Sequence, residues 1–124
     1  MADIRLGVVE TRFADLIWEH EPISSGELVK LCEQTLSWKK STTYTILRRL
    51  CERGIFLNQK GTVTSLISKD EFYAMQSEKF VADTFEGSLP RFLAAFSTRK
   101  KLTDDEINEL QKFIDEMSPA NKSQ

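Results

Sequence analysis

Long apolar stretches, paired cysteines and catalytic signatures are missing from this sequence of 124 residues, and each absence removes a class of explanation. No run reaches the length of about 18 apolar residues that a membrane-spanning helix requires, so membrane insertion is not expected. The opening Met-Ala-Asp-Ile-Arg-Leu-Gly lacks the basic, apolar and small-residue succession of a secretion signal, and the expected location is the cytoplasm. Cysteine occurs only as Cys32 and Cys51, each beside aliphatic residues, with no CxxC and no Cys/His cluster. That pattern predicts buried free thiols, not a disulfide or a metal site. The single histidine, His20, has no partner in sequence and suits the negative end of a helix. With no glycine-rich phosphate loop, nucleophile-base pair or carboxylate motif, the chain is expected to be no enzyme and to carry no cofactor and no metal.

What is present is a soluble composition, 40% hydrophobic and 29% charged. Its most informative part is residues 38–61. At 3.6 residues per turn, Thr43, Ile46, Leu47 and Leu50 share one helix face, while Ser41, Tyr44, Thr45 and Arg48 project from the other. Ser, Thr and Tyr fill all five positions 41–45, although they are mediocre helix formers. Such local conflict marks working sites. Arg can pair with guanine in a major groove, and hydroxyls can bond bases or phosphates. Any surface helix is polar on one side; the residues C-terminal to this one set it apart. Gly54 stands where a helix C-terminal glycine would, and Ile55-Phe56-Leu57 and Thr62–Ile67 read as strands joined across Asn58-Gln59-Lys60-Gly61. Helix, hairpin and basic tip make a winged helix.

Upstream, Val9, Phe13, Leu16 and Ile17, with Trp18 adjoining, are spaced as the buried stripe of a first helix, which Glu21-Pro22 ends. Ser24 or Ser25 can cap a second helix with Leu28, Leu31 and Cys32 inward, and Trp38 is expected to plug the core before the third. The net charge of -2 hides a division. Residues 39–60 hold six basic side chains against Glu52 alone, whereas residues 69–124 carry 8 basic and 11 acidic groups. Positive charge is gathered where phosphates would be met.

After Ser68 the pattern is helical: Lys69 to about Phe85, Leu89 to Phe96, and a third helix opened by the capping box Thr103–Glu106, with Ile107, Leu110, Ile114 and Met117 in one stripe. Six of the eight Phe residues lie here, more than three short helices can cover by themselves. A second copy of the chain would supply the missing surface through Phe72, Phe80, Phe85, Leu89, Phe92, Leu93, Phe96, Ile107, Leu110 and Ile114. The alternative is that these helices fold back over the N-terminal domain. The expected fold is mainly α with a small β-hairpin wing: a winged helix-turn-helix domain over 1–68 and a helical dimerisation domain over 69–124.

The collinear landmarks Val8-Val9-Glu10, Leu16-Ile17-Trp18, Ile23-Ser24, Trp38, Thr42, Thr45, Arg49-Leu50, Gly54, Phe85–Ser88, Phe96 and Leu102–Leu110 span most of the sequence. Through them the chain resembles the BlaI/MecI family of penicillinase and methicillin-resistance repressors. The resemblance implies a homodimeric winged-helix repressor of resistance genes, released when a membrane sensor-protease signal leads to cleavage in the dimerisation region. In antibiotic-responsive members the cut bond is Asn-Phe; the matching bond here is Ala95-Phe96, which keeps the apolar context and changes the residue before the cut. Copper-responsive relatives carry a C-terminal CxC…CxC motif, and the last residues here, 118–124, have none.

The expected function is therefore repression at a two-fold-symmetric operator. Ser41, Thr42, Tyr44, Thr45 and Arg48 would read bases, and Lys39, Lys40, Arg49 and Lys60 would hold phosphates. The rival reading is a winged-helix module for protein-protein interaction, since fold alone does not determine function.

Overall fold

The structure is a computed structural model that describes residues 4–118. Residues 119–124 lie outside them. Among the described residues the order is α1 (Val8–His20), β1 (Ile23–Ser24), α2 (Ser25–Leu36), α3 (Lys40–Glu52), β2 (Phe56–Gln59), β3 (Thr62–Ser65), α4 (Lys69–Phe85), α5 (Leu89–Arg99) and α6 (Asp104–Met117). No described helix is long and apolar enough to cross a membrane.

Local chemistry sets most of these boundaries. Ser24 caps α2 by accepting a hydrogen bond from the Glu27 main chain at 3.1 Å, satisfying one of the N–H groups that a helix start leaves open. Ser37, at φ 57°, ends α2 in the left-handed region. Trp38 then stacks on Phe13 with ring centroids 5.3 Å apart, the expected plug. Gly54, at φ 81°, turns the chain out of α3. His20 Nδ1 lies 2.8 Å from the Leu16 carbonyl in the last turn of α1.

The hairpin is tighter than the sequence suggests. β2 runs on through Asn58 and Gln59, and Gln59 faces Thr62, so only Lys60 and Gly61 form the turn. Both have positive φ, 53° and 86°, the mirror-image geometry that matches strand twist. A strand absent from the sequence reading, β1, pairs antiparallel with β3 through Ile23–Val63 and Ser24–Thr62, giving the three-stranded order β1-β3-β2. Two residues carry no alternation to read, and their partner lies far away in sequence.

The first compact unit extends to Phe80. Phe13, Ala14 and Ile17 of α1, Leu28 and Cys32 of α2, and Thr43, Leu47 and Leu50 of α3 close over Ile55, Phe56 and Val63. Each fully buried large side chain contributes on the order of 1.5–3 kcal/mol. Two expectations need correction. Val9, assigned to the buried stripe of α1, is 51% exposed, and Ala14 takes the inward place. Phe72, assigned to a dimer surface, is fully buried in this core. Its ring lies 5.3 Å from that of Trp18, whose indole N–H donates to the Ile67 carbonyl at 3.0 Å. The first turn of α4 is thereby committed to the winged-helix core.

The second unit starts at Val81. Helices α5 and α6 contain no fully buried residue. Phe92 packs edge-on to Phe85 at 5.7 Å and lies 6.2 Å from Phe96. An open apolar cavity of about 470 Å³ is left among Phe92, Phe96, Leu102, Leu110 and Phe113.

Candidate nucleic-acid interface

Helix α3 is held by Thr43, Leu47 and Leu50, all buried, which forces the intervening positions outward. Ser41, Thr42, Tyr44, Thr45, Arg48 and Arg49 are all exposed, as are Lys39 and Lys40 at the helix start and Lys60 at the hairpin turn. The structure thus brings the sequence-predicted residues onto one unit with their functional groups clear of the core. Lys39 is the N-cap and offers no side-chain acceptor, and the first turn of α3 holds no acidic residue. The leading N–H groups, the positive end of the helix dipole and two lysines together make an anion-seeking end.

One basic residue of the segment is spent on the fold. Arg53 donates to the Arg5 carbonyl at 2.8 Å and pairs with Glu10 at 3.5 Å, tying the segment before α1 to the end of α3. The remaining cations, Lys39, Lys40, Arg48, Arg49 and Lys60, are exposed.

Between α3 and the wing runs an open groove of about 490 Å³, lined by Tyr44, Arg48, Cys51, Leu57, Asn58 and Leu66. Ser25 and Asn58, which the sequence marked only as a possible helix cap and as part of the strand connection, shape this region. Asn58 Oδ1 accepts from the Gly61 main chain at 3.1 Å and braces the turn. The Tyr44 hydroxyl donates to Ser25 Oγ at 3.3 Å. An Asn ahead of a Lys-Gly turn is a readable signal for the first; no sequence signal marks the second. Both cysteines are free thiols, and burial pushes each of them up from the ordinary thiol value.

In the second unit Leu89, Phe96, Ile107 and Ile114 are exposed, while Phe85, Phe92, Leu93 and Leu110 are half-buried. Phe80, at the end of the first unit, is 51% exposed. Phe113 and Met117, which the expected dimer surface did not include, are 60% and 59% exposed. Ala95 and Phe96 both lie exposed within α5.

The sequence profile of a family described as penicillinase repressor matches residues 6–116, which takes in α1 to α5, the hairpin and all but the last residue of α6. The chain belongs to the penicillinase repressor family. It is 29% identical over 117 residues to the penicillinase repressor of Bacillus licheniformis, covering 91% of each chain. It is 22% identical over 109 residues to the methicillin resistance regulatory protein MecI of Staphylococcus aureus strain Mu50, covering 85% of this chain and 89% of that one. Membership makes the protein a transcriptional repressor and not an enzyme, in keeping with a site built from hydroxyls and fixed cations.

Proposed function

We propose that this penicillinase repressor family protein is a cytoplasmic homodimer that binds a two-fold-symmetric DNA operator and controls resistance genes of the kind named for its relatives. One observation carries the reading: a row of hydroxyls and guanidinium groups stands outward on α3, directly opposite Leu47 and Leu50 in the core. Ser41, Thr42, Thr45 and Arg48, with the Tyr44 ring beside them, face base edges in the major groove. Lys39, Lys40, Arg49 and Lys60 take phosphates.

The proposed division is a DNA-binding domain over 1–68 and a dimerisation domain over 69–124, joined by α4, whose first turn packs Phe72 into the winged-helix core. Support for a second copy comes from α5 and α6, which leave Leu89, Phe96, Ile107, Phe113 and Ile114 exposed. That is more apolar surface than one pair of helices covers, and symmetric pairing is the commonest way to cover it. Two recognition helices then meet successive major grooves on one face of the duplex. Release by a sensor protease at Ala95-Phe96 belongs to the same proposal; both residues lie inside α5 and Phe96 is on the surface that pairing would cover, so parting of the two copies and local unwinding have to precede the cut.

The deciding experiment measures binding to duplexes from the DNA upstream of the protein's own gene, and to scrambled duplexes, at two salt concentrations, with sedimentation of the free protein alongside. Saturable, sequence-preferring, salt-sensitive binding by a dimer is expected. A monomer, or a protein that treats both duplexes alike, overturns the reading and favours a protein-interaction module.

A further inference from the structure

We infer that Tyr44 is a positioning residue that holds the wing relative to α3, and that its hydroxyl is not a base reader. The inference rests on the operator-binding reading for its purpose, though not for its geometry.

Three elements meet at Ser25. Its main-chain N–H donates to the Gly61 carbonyl in the wing turn at 2.8 Å. Its Oγ accepts from the Tyr44 hydroxyl at 3.3 Å. It is also the first residue of α2 and directly follows Ser24, whose pairing with Thr62 is the last of the β1–β3 ladder. A hydrogen-bonded path therefore runs from the outward face of α3, through the start of α2, into the tip of the wing.

The tip needs such an anchor. Lys60 sits at φ 53°, a left-handed conformation that is unfavourable for a non-glycine residue. The two-residue turn Lys60-Gly61 stands beyond the four-residue strands β2 and β3, and Lys60 is exposed there. Lys60 reaches a phosphate only where the tip stands. The Tyr44 phenol has one hydrogen to give, and it is already given to Ser25. Reading a base by donation would require breaking that bond.

The two roles separate in the Tyr44→Phe protein, which keeps the ring and removes only the hydroxyl. In the free protein, the Ser25 amide should exchange with solvent several-fold faster than in the wild type, while amides in α1 are unchanged. On DNA, the slope of log affinity against log salt should fall by about one, as for Lys60→Ala; from 50 to 200 mM salt this is about a four-fold difference in the affinity lost. Adding Lys60→Ala to Tyr44→Phe should cost little more, because both remove the same contact. The ratio of specific to scrambled binding should hold. Ser25→Ala, which deletes the acceptor, should reproduce the slope change.

Unchanged Ser25 exchange overturns the inference, as does a lost sequence preference with an unchanged salt slope, which is what a base reader would give. Additive effects of Tyr44→Phe and Lys60→Ala also overturn it. If the wild type shows no preference for any duplex, the operator reading falls, and the exchange measurement on free protein still decides the link.

Discussion

Glu21 holds Ser65 by both of its hydrogens: Oε1 accepts from the Ser65 main chain at 2.8 Å, and the Ser65 hydroxyl lies 2.8 and 2.9 Å from the two carboxylate oxygens. Glu21 is the C-cap residue of α1 and Ser65 the last residue of β3. One side chain thus joins the end of the first helix to the strand at the centre of the sheet. Glu21→Ala leaves a part-buried N–H without its acceptor and should cost about 1–3 kcal/mol. A urea melt followed by tryptophan fluorescence measures it, and an unmoved midpoint would show that water replaces the carboxylate.

Arg48 and Lys60 should fail in different ways. Arg48→Ala is expected to lose about 1–3 kcal/mol on the preferred operator and to relax sequence preference. Lys60→Ala should weaken binding to all duplexes alike and lower the salt slope by about one. Equal loss on specific and random DNA for the Arg48 change would remove its base-reading role.

Phe72 and Ile114 look alike in sequence, since both are apolar residues of C-terminal helices. Phe72→Ala should destabilise the first unit by about 3–5 kcal/mol, as large-to-small core changes do, and flatten the near-ultraviolet signal of Trp18 beside it. Ile114→Asp places a charge on an exposed α6 position. It should shift sedimentation from dimer to monomer while that Trp18 signal survives. Dissociation by Phe72→Ala with an intact Trp18 environment would reverse the two assignments.

Acid should loosen α6 from its first turn. Glu106 Oε1 accepts from the Thr103 main chain at 2.9 Å, and the Glu106 main chain donates to Thr103 Oγ1 at 3.1 Å. The main-chain bond to Thr103, followed by the side-chain bond, holds the Glu106 carboxyl below its usual 4.5. A lowered folded value means the contribution is complete above pH 4.5 and is lost as pH falls through the folded value. The protection of α6 amides, taken relative to their intrinsic exchange rates, should fall as the pH drops below 4.5, and Glu106→Gln should remove the dependence. Lys69 has the opposite sign. Its hydrogen bond to Asp15, at 3.3 Å, raises it above 10.5, so its contribution is complete below that pH and is lost in stronger alkali.

Local chemistry made much of this protein readable in advance. The bounds of α4, Lys69 to Phe85, come from apolar spacing and the Glu86-Gly87-Ser88 breaker. The start of α6 comes from a four-residue capping box, and the outward face of α3 from a 3.6-residue period. Periodicity, caps and turns act over a few residues, and a few residues suffice to recognise them. The row Ser41, Thr42, Thr45 and Arg48 was legible for the same reason: once Leu47 and Leu50 point inward, those positions must point out.

What tertiary structure alone decided is who meets whom across the fold. Apolar character marked Phe72 for burial without saying against which surface, and its place beside Trp18 depends on where α4 starts relative to α1. Arg53 reads as one more cation until the carbonyl of Arg5 arrives beside it, and Tyr44 as one more hydroxyl until Ser25 does. Sequence patterns determine the faces of each helix because a backbone hydrogen bond reaches only four residues. Contacts between distant residues follow from packing all the helices at once, and no local pattern encodes that.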